Sequence, residues 1–478
     1  MRTLVLNAKG GQNRCVLLED EVVQEIHVHH INETAGSIYA GRVLNFLQGM
    51  QAAFIDIGQE KNGYLSMNDL PAILKAGSLH EGQQLFVQVA KEAIEHKGPK
   101  LTANLEFGGQ FLVYMPTSGY IAVSKKIENP DERERLQTLG THFCGDNEGL
   151  VFRTAANGQA EAKLYKEYQY LKKKYEDLLE NTQIKAPALL TEGTPFFDRI
   201  LREIDPATIQ KIICDDLELT QDLKSRYENT EVHFHQSKLS IFDAYKIEHE
   251  IDKALKRIVW LKNGAYLVID QTEALTAIDV NTGKFSGKSS LRETVLKTNI
   301  EAAREAARQI RLRDLSGMII IDFIDMKHHE DKQAVLKEML QEAKRDRVQS
   351  RMIGFTQMNI FQMTRKRVRP DLASRIMCPC PVCSGTGQVL SPDTVAFKLE
   401  RELWELQFME HEAALIELPY EAAEAFRGKN DVHIKRLEQV LHFEIFLKVN
   451  TEWIDRYKIV QLGDREIIRA LMKNKDKI

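Results

Sequence analysis

The chain has 478 residues, of which 43% are hydrophobic and 28% charged, and its formal net charge is −4 at pH 7. This length allows about three domains with their own cores. The small negative charge excludes binding to nucleic acid by overall charge, so any such binding depends on local basic patches. Six cysteines are too few for a disulfide framework and predict a reducing cytoplasm. The N-terminus turns polar too early for a signal peptide, and no apolar window is long enough to span a membrane.

Residues 1–34 have the pattern of β-strands. Apolar runs at 15–18 and 22–26 flank a short acidic turn, which predicts a hairpin. His27 and His29 fall on one face of the second strand and could bind a metal. An exposed polar strand face is the favoured interpretation, because no third ligand lies nearby in the sequence.

Residues 35–105 contain several short strands separated by glycine-rich turns, a pattern that predicts a small β-barrel. Phe54 and Tyr64 could stack on single-stranded bases, with Lys97 and Lys100 contacting phosphates. On the strand pattern alone, the favoured interpretation is that both aromatic rings belong to the barrel core, where most aromatic side chains lie.

Residues 106–190 begin with further strands and end with a charged helix predicted over 160–181. One strand ends in Arg153 and Thr154, which could offer a guanidinium fork and a hydroxyl to a phosphate. From this pair alone, an ordinary surface arginine is the favoured interpretation. A helix is then expected over 243–255, followed by a hairpin whose turn is Asn263-Gly264.

Two apolar, β-branched runs between residues 275 and 326 each lead to a carboxylate, Asp279 in the first and Asp322 in the second. The intervening segment has one apolar helical face, so the pattern predicts a crossover between parallel neighbouring strands. Both carboxylates would then lie at the same end of the sheet, where Mg²⁺ is often held by one or two carboxylates. Asn281 would face the same side. Alternatively, both aspartates only end strands and cap the segments after them.

A basic patch at 363–369 could contact phosphate or be a solvated surface. Cys378, Cys380 and Cys383 come next, and the Cys-x-x-Cys pair is followed by Gly385 and Gly387, as in a zinc knuckle. Two thiolates are half of a tetrahedral site, which a second chain could complete. A redox or idle cysteine pair is the alternative.

Taken together, five segments in this order resemble the ribonuclease E/G family along nearly the whole chain. They lie at residues 52–58, 152–155, 279–283, 321–326 and 380–387. The resemblance implies an endonuclease that cuts single-stranded RNA with Mg²⁺ and leaves a 5′-phosphate on the downstream product. It also implies roles in rRNA and tRNA processing and in mRNA decay.

The resemblance implies a role for each matching residue. The Mg²⁺ carboxylates of the family are matched by Asp279 and Asp322, with Asn281 orienting the site. Its RNA-binding face is matched by Phe54, Tyr64 and Lys97, and its pocket that senses a 5′-monophosphate by Gly109, Val113, Arg153 and Thr154. The ligands of a Zn²⁺ shared between two protomers are matched by Cys380 and Cys383. Tyr64 replaces a phenylalanine of some members but can still stack. Cys378 is additional to the usual pair, which leaves open which thiolates bind zinc.

The implied fold is multidomain α/β plus β. An RNase H-like domain (1–34 and 191–254) is interrupted by an OB-fold (35–105) and a 5′-sensor region (106–190), and a DNase I-like catalytic domain (255–376), a zinc link (377–390) and a small α+β domain (391–478) come after it. We expect a homodimer through the zinc link, which two dimers could extend to a tetramer. The chain ends at Ile478 without a long disordered arm, as in the G-type members. The rival hypothesis is a non-catalytic OB-fold RNA-binding or ribosome-associated protein.

Overall fold

The chain forms two units, Met1–Ile376 and Met377–Ile478. The structure is a computed structural model that describes residues 1–29, 34–71, 74, 79–93, 97–180, 184–204, 208–227, 230–283 and 291–473. Strands are numbered in chain order. The domain boundaries given above stay a prediction, because the division into two units is coarser than they are.

The first sheet of unit 1 has the strand order β15-β14-β1-β2-β3, with β1 and β14 parallel and β1 and β2 antiparallel. Its strands are β1 (Arg2–Asn7), β2 (Arg14–Glu19), β3 (Val22–Val28), β14 (Lys211–Cys214) and β15 (Glu231–Phe234), and its helices are Phe196–Glu203, Leu217–Arg226, Ile241–Ala244 and Ile247–Ala254. Leu4 and Leu6 pack with the first of these helices, whereas Val5 packs with the last two. The predicted hairpin is confirmed, and its turn residues Asp20 and Glu21 both have positive φ.

A closed five-stranded barrel comes next, as predicted. Its strands are β4 (Ile38–Leu47), β5 (Ala52–Asp56), β6 (Gly63–Ser66), β7 (Gln84–Lys91) and β8 (Lys100–Thr102), and β13 (Ala188–Thr191) adds to β4. The pairing of β4 with β7 closes the ring. The interior is tightly filled: a Cβ on Gly41 would lie 2.5 Å from Ile55.

A four-stranded sheet in the order β11-β12-β10-β9 is the third sheet of unit 1. It consists of β9 (Phe107–Gly108), β10 (Leu112–Met115), β11 (Ile121–Val123) and β12 (Gly149–Phe152), and it is accompanied by the helices Pro130–Phe143 and Glu161–Glu180. The second helix confirms the one predicted over 160–181. Leu164, Tyr168 and Leu171 of this helix pack in the same core as the strands.

The six-stranded sheet of unit 1 has the order β16-β17-β18-β19-β21-β20. It consists of β16 (Ile258–Trp260), β17 (Tyr266–Gln271), β18 (Leu275–Asn281), β19 (Gly317–Asp322), β20 (Ser350–Phe355) and β21 (Ile360–Arg365), with the helices Leu291–Leu312 and His329–Ala343, whereas the short helix Leu372–Ile376 packs in the core of the first sheet. The hairpin at Asn263-Gly264 and the parallel pair β18–β19 are both confirmed. Ile278 and Val280 are buried with helix residues Ala303 and Ala307, so alternation turns Asp279 to the open face.

Ion pairs join the first sheet and its helix Phe196–Glu203 to the segments around the six-stranded sheet. The Arg347 guanidinium bonds the Glu25 carboxylate of β3, and Arg369 Nη1 lies 3.4 Å from Glu203 Oε2, while the Arg369 Nε bonds Asp314. The expectation of an exposed face at His27 is wrong: this side chain is 4% exposed, and its ring lies 3.1 Å from the Glu25 carboxylate. Burial, followed by the charge of Arg369, lowers the pKa of His27 to about 4, so the ring is neutral beside the ionised Glu25.

Unit 2 combines a small sheet with helices. Its strands are β22 (Ala413–Leu418), β23 (Glu444–Val449) and β24 (Lys458–Gly463), and its helices are Pro392–Glu405, Tyr420–Arg427, Val432–Leu441 and Arg465–Lys473. The three strands have the order β23-β22-β24. Among the described residues of both units, no helix is long and apolar enough to cross a membrane.

Candidate functional site

The two carboxylates singled out by the sequence lie side by side at the end of the parallel strand pair. Asp279 of β18 is the direct register partner of Asp322 of β19. Both are exposed on the face of the sheet that the helices leave open. Partial desolvation, and then the negative charges of Asp279 and Asp325, raise the pKa of Asp322. A cation between the two carboxylates would relieve this repulsion.

Asn281 holds one of these carboxylates in place. Its side-chain nitrogen donates a hydrogen bond of 2.7 Å to Asp279 Oδ2. The two residues share a face because they are two positions apart on one strand. The chain then turns at Gly283, where φ is +58° and a Cβ would lie 2.3 Å from the Gly264 carbonyl oxygen. Only glycine fits this turn, which packs the end of β18 against the hairpin.

The loop after Asp322 is held by a residue that sequence reasoning missed, Asn299. Its side chain is fully buried; its Nδ2 donates to the Ile324 carbonyl at 2.7 Å, and its Oδ1 accepts from the Ile324 N–H at 3.0 Å. The available signal was its place on the apolar face of the helix, three residues after Leu296. A buried amide there must find partners, because an unpaired buried polar group is costly.

On the barrel, Phe54 and Tyr64 are register partners and their ring centroids lie 6.2 Å apart. Both are only partly buried, whereas their strand neighbours Ala53 and Leu65 are fully inside. The two rings therefore belong to the outer surface rather than to the core. Lys97 is exposed, and Lys100 forms an ion pair of 2.8 Å with Asp69.

Arg153 lies just after β12 and is partly buried. Its Nη1 donates to the Gly109 carbonyl at 3.0 Å and its Nη2 to the Arg202 carbonyl at 2.9 Å. Burial, and then the charge of Arg202, lower the pKa of Arg153. Bonds to neutral carbonyls orient the guanidinium without neutralising it, so its positive charge is available to an anion.

The other members of the predicted sensor lie close to Arg153 along the chain or across the sheet. The Thr154 hydroxyl is 3.0 Å from that of Ser124 and opens the short 3₁₀ helix Thr154–Ala156. Val113 is the register partner of Gly108, the residue before Gly109. The structure thus groups the four predicted residues around one end of this sheet.

Glu167 is a second residue that sequence reasoning missed. Its carboxylate accepts hydrogen bonds from the backbone N–H groups of three consecutive residues, Gln110, Phe111 and Leu112, at 2.6–2.9 Å. A Cβ on Gly109 would lie 2.5 Å from the Glu167 carboxyl carbon. The carboxylate therefore fixes the loop whose Gly109 carbonyl orients Arg153. No short-range sequence pattern links Glu167 to a loop more than fifty residues earlier.

Cys380 and Cys383 form a tight turn in unit 2. The Ser384 N–H donates to the Cys380 carbonyl at 2.8 Å, and the Gly387 N–H donates to Cys383 Sγ at 3.3 Å. These backbone donors at Gly387 and Gly385, and then Cys380, lower the pKa of the Cys383 thiol. Backbone donors aimed at sulfur favour the thiolate, the form that binds metal.

The donor sets differ in the metal that they suit. Within the described part of the chain, no three or more His, Cys, Asp or Glu side chains are grouped to enclose a metal ion. Asp279 and Asp322 are nevertheless a paired set of hard oxygen donors, which Mg²⁺ supplements with water and substrate phosphate. Cys380 and Cys383 are soft donors that suit Zn²⁺, and they need two further ligands.

Comparison with known proteins gives a family match and several similar relatives. A family model described as the ribonuclease E/G family matches residues 107–368, a range that includes Arg153, Asp279 and Asp322. Ribonuclease G of Escherichia coli strain K12 is 34% identical over 461 residues, which cover 91% of this chain and 94% of that protein. Ribonuclease G of Haemophilus influenzae is 36% identical over a region that covers 84% of this chain and 86% of that protein. Ribonuclease E of a Nostoc species is 35% identical over 81% of this chain and 59% of its own.

Proposed function

The chain belongs to the ribonuclease E/G family, and we propose from this that it is a Mg²⁺-dependent endoribonuclease that cuts single-stranded RNA and favours 5′-monophosphate ends. The observation that carries the proposal is the direct register of Asp279 and Asp322 on an open sheet face. Two adjacent carboxylates without a neutralising partner are unfavourable unless a cation joins them. Phosphodiester cleavage is the chemistry that such a cation supports.

Asp279 and Asp322 would hold Mg²⁺, which would supply charge neutralisation at the phosphate and activation of the attacking water. The chain's own contribution is positioning. Asn281 fixes the Asp279 carboxylate through its hydrogen bond, and Asn299 fixes the loop after Asp322. Because these bonds exist before substrate binds, the carboxylates need no rearrangement when the RNA arrives.

RNA would be held by the outer face of the barrel. Phe54 and Tyr64 form a pair of partly exposed rings on neighbouring strands, which suits stacking with unpaired bases. Lys97 would contact the phosphate backbone. Stacking of this kind selects single strands, since the bases of a duplex are already stacked on each other.

The 5′ end would be recognised at Arg153, Thr154, Gly109 and Val113. The Arg153 guanidinium is oriented by two backbone carbonyls and keeps its charge, and the neighbouring Thr154 is exposed. A 5′-monophosphate offers charged oxygens to both groups, whereas a 5′-hydroxyl offers no charge. This difference supports a preference for monophosphorylated ends.

Assembly would involve Cys380 and Cys383 as the ligands of a structural Zn²⁺ shared between two protomers. The lowered pKa of Cys383 supports metal binding at this turn. The proposal also includes a tetramer of two such dimers and a cytoplasmic location. It assigns the two α/β regions as RNase H-like and DNase I-like. The proposed cellular roles are rRNA and tRNA processing and mRNA decay.

The decisive experiment is incubation of the protein with a 5′-monophosphorylated, single-stranded RNA, with and without Mg²⁺, followed by sequencing of the product ends. We expect internal cleavage only with Mg²⁺ and a 5′-phosphate on each downstream product. RNA binding without cleavage at any divalent metal concentration would instead support the non-catalytic RNA-binding alternative.

A further inference from the structure

The open face of the six-stranded sheet carries two aromatic side chains in line with the candidate site. Trp260 of β16 is the register partner of Tyr266 of β17, and Tyr266 is the register partner of Asn281 of β18. Residues directly opposed in antiparallel strands project from the same face of a sheet. Trp260, Tyr266 and Asn281 therefore form a row across three strands.

Trp260 is 67% exposed, while the neighbouring Val259 packs against the core. Its ring centroid lies 5.0 Å from that of Tyr266, with an angle of 50° between the rings. A tryptophan side chain can bury well over 100 Å² of apolar surface, so leaving it in water forgoes a large stabilisation. The exposed Trp260 ring, backed by the half-buried Tyr266, offers a flat apolar surface on which a ligand ring could stack.

The row ends beside the two carboxylates. Neighbouring strands are about 4.8 Å apart, so Trp260 lies about 10 Å from Asn281 across the sheet. Asn281 is hydrogen-bonded to Asp279, the partner of Asp322. A base that stacks on Trp260 would therefore lie within a short stretch of chain from a phosphodiester at the carboxylates.

The charges around the pair admit a polyanion. Asp270 also lies on this face, because it is the register partner of Ala277, two residues before Asp279. Its carboxylate is bonded by the Arg257 guanidinium, with one contact of 2.6 Å, so it adds no unpaired negative charge. The carboxylates of Asp279 and Asp322 are the negative groups that a metal ion would neutralise.

We propose that Trp260 and Tyr266 form a stacking platform for a base of the RNA strand that flanks the cleaved phosphodiester. The inference rests on the proposed endoribonuclease function. RNA is the occupant, rather than a protein, because the aromatic row is continuous with carboxylates that must remain open to RNA for cleavage. Stacking accepts every base, so the platform adds affinity with little sequence preference.

The kinetic test compares substitutions of Trp260 on a short single-stranded RNA. Loss of one stacked base is worth about tenfold or more in affinity, so Trp260→Ala should raise KM by about tenfold. Trp260→Phe should recover most of this loss, whereas Trp260→Leu should not, because leucine is apolar but cannot stack. Ile258→Ala is the matched control: Ile258 is exposed on the same strand and face, and its loss should change KM less than about twofold.

A binding test does not depend on cleavage. The chain has 3 tryptophans, so Trp404→Phe and Trp453→Phe together leave Trp260 as the single reporter. Addition of an unmodified single-stranded decaribonucleotide without Mg²⁺ should quench its fluorescence. If the RNA quenches this fluorescence but the wild-type protein does not cleave the same RNA once Mg²⁺ is added, the proposed function is contradicted while base stacking on Trp260 stands.

Three results would overturn the platform. One is an unchanged KM in Trp260→Ala together with unchanged fluorescence on RNA addition. Another is an equal loss in Trp260→Ala and Ile258→Ala, which would indicate a general apolar surface. The third is a Trp260→Ala protein whose self-association changes in light scattering while its KM stays the same, since this face would then be an interface between chains.

Discussion

Asn299 and Ile324 are joined by two hydrogen bonds, in which the buried side-chain amide of Asn299 pairs with both the N–H and the carbonyl of Ile324. Ile324 lies two residues after Asp322 and directly before Asp325. The two hydrogen bonds of this amide thus hold in position the segment that carries the second carboxylate of the candidate site.

We therefore expect Asn299→Ala to weaken the metal site. It leaves the N–H and carbonyl of the half-buried Ile324 without their partner, which costs about 2 kcal/mol of folding free energy. The Mg²⁺ concentration for half-maximal cleavage should rise about tenfold, because the Asp322 loop is no longer held. Thr298→Val is the control, since the neighbouring Thr298 is equally buried but bonds Asn263 instead. An unchanged Mg²⁺ dependence in Asn299→Ala would show that the Asn299–Ile324 hydrogen bonds stabilise the fold without positioning the metal site.

Asp279→Asn or Asp322→Asn should abolish cleavage while RNA binding and thermal stability remain near the wild-type level. Loss of several kcal/mol of charge stabilisation corresponds to a rate decrease of about 10³-fold or more. Asp270→Asn tests the same change of charge on the same face and should keep most of the activity. Near-normal turnover by either of the first two variants, measured under single-turnover conditions, would refute the site.

Wild-type protein should cut an RNA with a 5′-monophosphate faster than the same RNA with a 5′-hydroxyl. In Arg153→Ala, the ratio of the cleavage rate on the monophosphate RNA to that on the hydroxyl RNA should fall about tenfold, whereas the rate on the hydroxyl RNA should stay unchanged. Glu167→Ala should do the same through the loss of the Gln110–Leu112 hydrogen bonds. The two losses should not add in the double variant, because both act on one guanidinium.

Lys173→Ala, which removes an exposed charge from the same helix as Glu167, should leave the ratio unchanged. Equal rates on both 5′ ends in the wild-type protein would contradict the sensor itself. A ratio that survives Glu167→Ala but not Arg153→Ala would instead show that the loop holds its shape without the carboxylate.

Metal analysis should find about one Zn²⁺ per two chains, the ratio that two shared thiolate pairs require. Changing Cys380 and Cys383 to Ser should separate the dimer, as seen by light scattering, without unfolding the chains, because each unit has its own core. Cys378→Ser is the matched control and should retain both zinc and dimer. One zinc per chain would point to a site closed within one protomer.

The stability of the wild-type protein should fall with decreasing pH partly through His27. Its pKa is 6.5 when unfolded and about 4 when folded, so between these values the unfolded state binds the extra proton. The free energy of unfolding should therefore drop by about 1 kcal/mol per pH unit as the pH falls from 6.5 towards 4. Denaturant unfolding of His27→Gln, which keeps a donor for Glu25, should lack this component. A difference between the two proteins that does not vary with pH would contradict the assignment.

The local elements and the alignment of the carboxylates were accessible from the sequence alone. Strands alternate with a period of two residues and helices with one of 3.6, so Asp279, Asn281 and Asp322 could be placed on one face and at one sheet edge. The Asn263-Gly264 turn and the cysteine–glycine turn were predictable for the same reason, because their geometry depends on a few neighbouring residues.

The contacts that depend on packing between distant segments were decided by the tertiary structure. Glu167 reaches backbone N–H groups more than fifty residues away, and His27, interpreted as exposed from its strand pattern, is buried against Glu25 under Arg347 and Arg369. The alignment of Trp260 with Asn281 needs two successive strand pairings. A sequence shows which face a side chain takes on its own element, but only the packed fold determines which neighbour covers that face, and with it the burial, charge and partners of the side chain.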